Sequence, residues 1–350
     1  MNYIKLYESF LNERMGVPDA IQPYLDPIAD YVIGQIEHLI KSGQFLTAIN
    51  STGLTLEKTL EEKPFPEFPI KKVELVVDFN VIKSNENPII VNGGSGKMSK
   101  EADGFVCFLE LNPMVDVKKL IEVFSGKNNK FLDEIREEIR SVIAHEFTHI
   151  YEMYMRRKNK KALNGTEHAL FAFTANKIAH LDLPSSIASL FHLMYVQAEH
   201  ELSARIPQVQ SLIRNVEDPH KREQIILKSQ PFKQAQELID FDAQKFYDYQ
   251  IEKISKLMDG DKEGAKKKLD FLFKQLEENF DTGKKIMLSN LKDILDPEEI
   301  EDVEKALNSH EKDIQKIQRM DALKFFKFWE RRFNEAGKKL KTKLLKLATY

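Results

Sequence analysis

Residues 139–155, IRSVIAHEFTHIYEMYM, set His145 and His149 four positions apart with Glu146 directly after the first histidine. On an α-helix, positions i and i+4 share one face, one turn apart. Two imidazoles so placed can converge on one small cation. Zinc takes nitrogen and oxygen ligands, and a catalytic zinc keeps one coordination position open for water, whose pKa it lowers to roughly 7. Glu146 then sits where a carboxylate can accept that proton. Five residues thus supply two ligands and a general base, the His-Glu-x-x-His pattern. The plain alternative is two histidines on a solvated helix. Val142, Ile143, Ala144, Phe147 and Ile150 argue against it, because a solvated face is not bracketed by that much apolar surface.

Such a site needs a third ligand. A further histidine six residues after His149, with a glycine three before it, is one known solution; Glu152 and Met155 hold those positions and exclude it. The other solution is a carboxylate on a later helix. Candidates are Glu152, Glu167, His168, His180, His192, Glu199, His200 and Glu201. The segment SSIASLFHLMYVQAEHELSARIPQ carries an apolar stripe through Ile187, Leu190, Phe191, Met194 and Ala198, and the same spacing reaches Glu201, Leu202 and Arg205. A carboxylate on a buried face is costly unless paired or bound to a cation. Zinc, with Arg205 one turn on, would satisfy Glu201. Pairing with Arg205 alone would also do so. Glu199 is the next choice of ligand.

These residues need a scaffold. The chain has 350 residues, 42% apolar and 31% charged, which is room for a sizeable core and two or three domains. The fold class expected is α+β, mainly α. From Pro18 to about Lys41 a helical pattern carries Ile28, Val32, Ile36 and Ile40 at four-residue spacing. A Pro-rich connector follows. The clear strands are KVELVVDFNVI (72–82) and FVCFLELNP (105–113), with a third short strand and a glycine-rich turn in NPIIVNGGSGKMSK between them. GGSGK is not a phosphate loop. With Gly96-Lys97 as anchor, Val91 and Met98 stand where a Gly and a Ser or Thr are required, so the stretch is expected to be a flexible loop. The motif helix is expected to start near Asn128 or Asn129 and run to Lys158. Beyond Gly165 helices are expected at about 185–205, 219–227, 231–257, 261–278 and 296 to the end. The sole cysteine, Cys107, lies in an apolar run and is expected in the core.

His145-Glu146-x-x-His149 followed by Glu201-Leu202-Ser203-Ala204-Arg205 resembles the zincin metallopeptidases with a glutamate ligand, the gluzincins, in phage-encoded or bacterial forms of unknown substrate. The resemblance spans roughly residues 70–206. It implies a zinc peptidase with His145, His149 and Glu201 as metal ligands and Glu146 as base. It implies an edge strand that pairs with an extended peptide, the part expected of 105–113. It also implies a residue that polarises the substrate carbonyl: Tyr195, or one of His168, His180 and His192. The gap between His149 and Glu201 is longer than in the best-known gluzincins. On this basis the chain divides into an amphipathic segment 1–17, a zincin-like domain 18–215 and a helical domain 216–350.

The ends carry weaker signals. Ile4, Tyr7, Phe10 and Leu11 are spaced for a short amphipathic helix, and acidic residues in the segment rule out a secretory signal. The same stretch is similar to amino-terminal segments of phage internal head proteins, cut after Leu-x-Glu; Leu11-Asn12-Glu13 would be that cut. From Asp321 on, nine Lys or Arg face three Asp or Glu. This is either a docking surface for an anionic partner or an amphipathic helix with its aromatics packed and its lysines solvated. A net charge of -3 does not favour nucleic acid, and no apolar run is long enough to span a membrane. The expectation is a cytoplasmic protein, of host cytoplasm or virion if phage-encoded, acting on a protein or peptide with Zn2+. The alternatives are a hydrolase of a non-peptide amide, and a non-enzymatic helical phage structural or assembly protein with a structural metal site.

Overall fold

A computed structural model describes residues 21–49, 54–59, 70–82, 89–101, 104–126, 132–158, 185–272, 285, 288–289, 300–301, 304 and 320–349. The amino-terminal segment with its Leu11-Asn12-Glu13 sequence, and the candidates Glu167, His168 and His180, lie outside them. The fold is α+β and mainly α. Two compact units interleave along the chain: the first holds Met1–Tyr154, Ser203–Ile226 and Leu347–Tyr350, the second Met155–Leu202 and Leu227–Lys346. The sequence reading draws its boundaries at 17/18 and 215/216.

In the first unit, α1 (Gln22–Lys41) and the short α2 (Phe45–Ile49) precede a five-stranded sheet. Its strands are β1 (Leu54–Thr59), β2 (Ile70–Val77), β3 (Asn80–Val81), β4 (Ile89–Glu101) and β5 (Gly104–Val115). β1 pairs antiparallel with β2, and β2 and β3 pair parallel with successive stretches of β5. Asp78 N–H to Leu111 O carries the ladder across the break between β2 and β3. β4 pairs antiparallel with the other side of β5, from Glu101↔Gly104 to Ile89↔Val115. β5 is therefore an interior strand. The edge role expected for 105–113 is corrected: both of its sides are already hydrogen-bonded, and the edge on that side is β4.

β4 overturns a second expectation. The glycine-rich stretch is strand, not loop, and runs as strand up to Glu101. The register slips between Val91 and Gly94, so Asn92 and Gly93 form a bulge, a place where glycine in a strand is common. β1 was not expected, although Leu54 and Leu56 alternate with polar residues. In β5, Cys107, Leu109, Leu111, Pro113 and Val115 are buried while Phe108 and Glu110 are exposed, the alternation of a sheet with one wet face. Burial pushes the Cys107 thiol up to about 12, which leaves it an inert core residue.

Asp116 caps α3 (Val117–Phe124), accepting from Lys119 N–H at 3.2 Å. The motif helix α4 (Leu132–Lys158) follows. In the second unit, the helix expected over 185–205 is two: α5 (Ser185–Val196) and α6 (Glu199–Ile213), the latter continuing into the first unit. After α7 (Pro219–Lys228), Ser229 caps α8 (Gln230–Asp240) and Asp242 caps α9 (Ala243–Lys256). Asp242 accepts from Lys245 N–H at 2.9 Å, and this cap splits the helix expected over 231–257. α10 covers 262–272 and α11 spans Ala322–Lys346.

The second unit's core is aromatic. Phe325, Phe326, Trp329 and Phe333 of α11 are buried with Leu190, Met194, Leu238, Ile251, Ile254 and Leu269. Phe241 meets Phe333 edge-on at 5.2 Å and Phe246 meets Phe326 at 5.0 Å. Gly337 lets α11 approach α8: a Cβ there would lie 2.6 Å from the Ala235 carbonyl oxygen. The aromatic face of the carboxy-terminal helix is thus packed, and its lysines are on the outside.

Candidate metal centre

Helix α4 is buried on every side through its middle. Residues 139–148 are buried without interruption, and they include Arg140, Ser141, His145, Glu146 and Thr148. A helix buried all round is normally apolar. Polar groups placed there must be bonded or must bind something. Thr148 Oγ1 donates to the Ala144 carbonyl at 2.7 Å, and Ser141 Oγ to the Glu138 carbonyl at 2.8 Å, so both hydroxyls are used within the helix. Tyr24 of α1 stacks on Phe147, with ring centroids 6.0 Å apart, and covers the flank of the motif.

Arg140, 1% exposed, ties three helices together. It donates to Asp26 at 2.9 Å and Gln22 at 3.1 Å on α1, and to Ser211 Oγ on α6. Arg214, just past α6, holds Asp26 through two bonds of 2.7 and 2.8 Å and reaches Glu137 on α4 at 3.4 Å. These bonds from Arg214 hold the Asp26 carboxyl below the ordinary carboxylate range, with Arg140 adding to the effect against burial. Farther along, Ser203 Oγ donates to Glu152 at 2.7 Å. The paired positions move in opposite directions, 137 with 214, 140 with 211 and 152 with 203. Helices α4 and α6 therefore run antiparallel, and their contact register sets the first turn of α6 beside the second histidine.

Glu201 is on that turn. Among the described residues, His145, His149 and Glu201 form a group that could hold a metal ion, with one donor atom from each lying within 4.8 Å of the others. Glu201 is 2% exposed, His145 7% and Glu146 5%; His149 is half-buried. The two Nε2 atoms are 3.1 Å apart with the rings nearly perpendicular. Two nitrogens each about 2.0–2.1 Å from one tetrahedral zinc lie about 3.3–3.4 Å apart. The two imidazole nitrogens are within a few tenths of an ångström of that spacing, and with the Glu201 carboxylate within 4.8 Å they make a nitrogen and oxygen donor set of the kind zinc accepts.

Glu152 is bonded by Ser203. Glu199 and His200 open α6. His192 is exposed on α5, and Tyr195 is half-buried there, packed against the aromatic core of the second unit. Arg205, expected to support Glu201, is buried one turn along α6. Ser203 and Arg140 were not anticipated as parts of the site. Arg140 carried a signal, a charge on the buried face next to Ile139, whereas Ser203 carried none. Compared with protein-family models, curated proteins and solved structures, the chain matches none.

Proposed function

We propose that this protein is a zinc-dependent metallopeptidase of the gluzincin type. His145, His149 and Glu201 hold the metal, and Glu146 is the general base. The observation that supports this reading best is the convergence of three donors from two helices, with a second carboxylate, Glu146, buried next to His145 in the chain. When bound, zinc supplies a Lewis acid for water activation and carbonyl polarisation. The chain's own residues do the rest. Glu146 takes a proton at its carboxylate from the attacking water and passes it to the leaving amine nitrogen. The burial of Glu146 keeps bulk water from competing for that proton. The edge expected to pair with an extended peptide becomes β4 in this reading, since β5 is interior and β4 pairs on one side only among the described residues.

The donor count argues against a purely structural metal. Structural zinc sites are closed by four protein ligands. Among the described residues three donors converge, which matches a site with an open position. A non-enzymatic assembly protein would also have no use for Glu146.

The test pairs wild type with Glu146→Gln, both purified without chelator. Each should carry about one zinc per chain. Only wild type should cleave a mixed peptide library followed by mass spectrometry, with the variant down by at least about 100-fold. Zinc-loaded Glu146→Gln that cleaves as well as wild type would refute the assignment.

A further inference from the structure

The turn that carries Glu201 is weakly held by its own helix. It begins directly after the break at Gln197–Ala198, where Ala198 N–H bonds the Tyr195 carbonyl and Leu202 N–H bonds the Ala198 carbonyl. Pro207 lies inside α6 and has no N–H to give to the carbonyl four residues back, which is that of Ser203. One rung of the helix ladder is therefore omitted just where Glu201's turn joins the body of α6. A ligand on such a turn would wander unless a tertiary contact fixed it.

One such contact is the bond from Ser203 Oγ to Glu152 at 2.7 Å. Ser203 follows Glu201 by two residues on α6, and Glu152 follows His149 by three on α4. The hydroxyl is on a buried residue and the carboxylate on a half-buried one, so the bond is charge-assisted and largely shielded from water. The far end of the same helix pair is held by Arg140 to Ser211 and by Arg214 to Glu137. With both ends pinned, neither sliding nor rotation of α6 can carry Glu201 away from the histidines.

We infer that Ser203 and Glu152 are positioning residues that lock Glu201 into the metal group. Neither is a ligand; they act through the placement of one. The inference rests on the metal reading proposed above.

The test is the affinity of the full-length protein for Zn2+ alone, measured by competition with a chromophoric chelator, together with the thermal melting of the metal-free protein. Ser203→Ala should weaken zinc about 10–100-fold, the range for residues that orient a metal ligand. Glu152→Ala should do the same, and the double variant should lose less than the two single losses multiplied together, because both remove this shared bond. Glu152→Gln keeps an acceptor oxygen and should recover most of the affinity, which also covers the case in which the alanine variant folds poorly. Metal-free melting temperatures should fall far less than the affinities imply. Wild-type affinity in Ser203→Ala, or losses that multiply in the double variant, overturn the clamp while leaving the metal site standing. A wild type that binds no zinc overturns the metal reading and the clamp with it.

Discussion

In the proposed centre Glu201 is the ligand on which the site most depends, because among the described residues it alone joins the histidines from another helix. Replacing it with Ala leaves two donors on α4 and removes the metal's tie to α6. Zinc sites with four ligands bind with about 10–16 kcal/mol, roughly 2.5–4 per ligand, so the loss of one weakens affinity by up to about 1,000-fold, the case worked here. Linkage converts that into a stability shift. Zinc at 1,000 times its Kd stabilises the native protein by about 4.1 kcal/mol, while the same concentration at a 1,000-fold higher Kd gives about 0.4. For a folding unit of roughly 150–250 residues, each kcal/mol moves the melting temperature by about 2–4 °C. Wild type should therefore melt about 8–16 °C higher with saturating zinc than with chelator, and Glu201→Ala only about 1–2 °C higher. Differential scanning fluorimetry on both proteins, at one fixed zinc concentration, reads this directly. A wild type indifferent to zinc would refute the metal centre. An equal shift in both proteins would remove Glu201 from it and bring Glu199 forward.

Arg140→Ala should destabilise the first unit by about 3 kcal/mol in urea titration, since it strands the buried Ser211 hydroxyl and empties a buried position; Gln22 is exposed and Arg214 still holds Asp26, so the loss falls at the low end for a broken buried pair. A loss under about 1 kcal/mol would mean that desolvation of the guanidinium cancels its bonds. Asp26 should report on acid stability. Its folded-state carboxyl titrates below the usual value, so its contribution is full above about pH 4 and disappears as pH falls through the lower folded value. The stability difference between wild type and Asp26→Asn should be flat from pH 7 to 5 and shrink below 4; a difference unchanged down to pH 2 would contradict the pairing. Gly337→Ala should lower the second unit's stability by about 1–3 kcal/mol despite alanine's better helix propensity, because the added carbon meets the Ala235 carbonyl, and a neutral or stabilising result would show that α8 and α11 can part without cost.

The motif helix was legible because its signal is local: two histidines at i and i+4 within an apolar run need no knowledge of the rest of the fold. Glu201 was reached by extending one apolar stripe from Ile187 to Arg205. The helix in fact breaks at Gln197–Ala198. The stripe survives because the chain re-enters a helix at once, with Ala198 accepting the first bond of α6. The sheet was harder. Which strand lies at an edge depends on pairings between distant segments, and the strand that covers β5 is glycine-rich and bulged, composition that marks a loop when taken alone. Ser203 was invisible for a different reason. A serine on a helix has many possible partners, and only the register between α4 and α6 picks out Glu152.

The separation of partners along the chain has a consequence for synthesis. Arg140 and Ser211 are 71 residues apart. A ribosome adding about 5–20 residues per second needs roughly 4–14 s to make the second after the first. During that interval α4 has emerged with its histidines and Glu146, but without the helix that completes their surroundings. The hydrolytic centre proposed here cannot exist on the nascent chain until α6 is out.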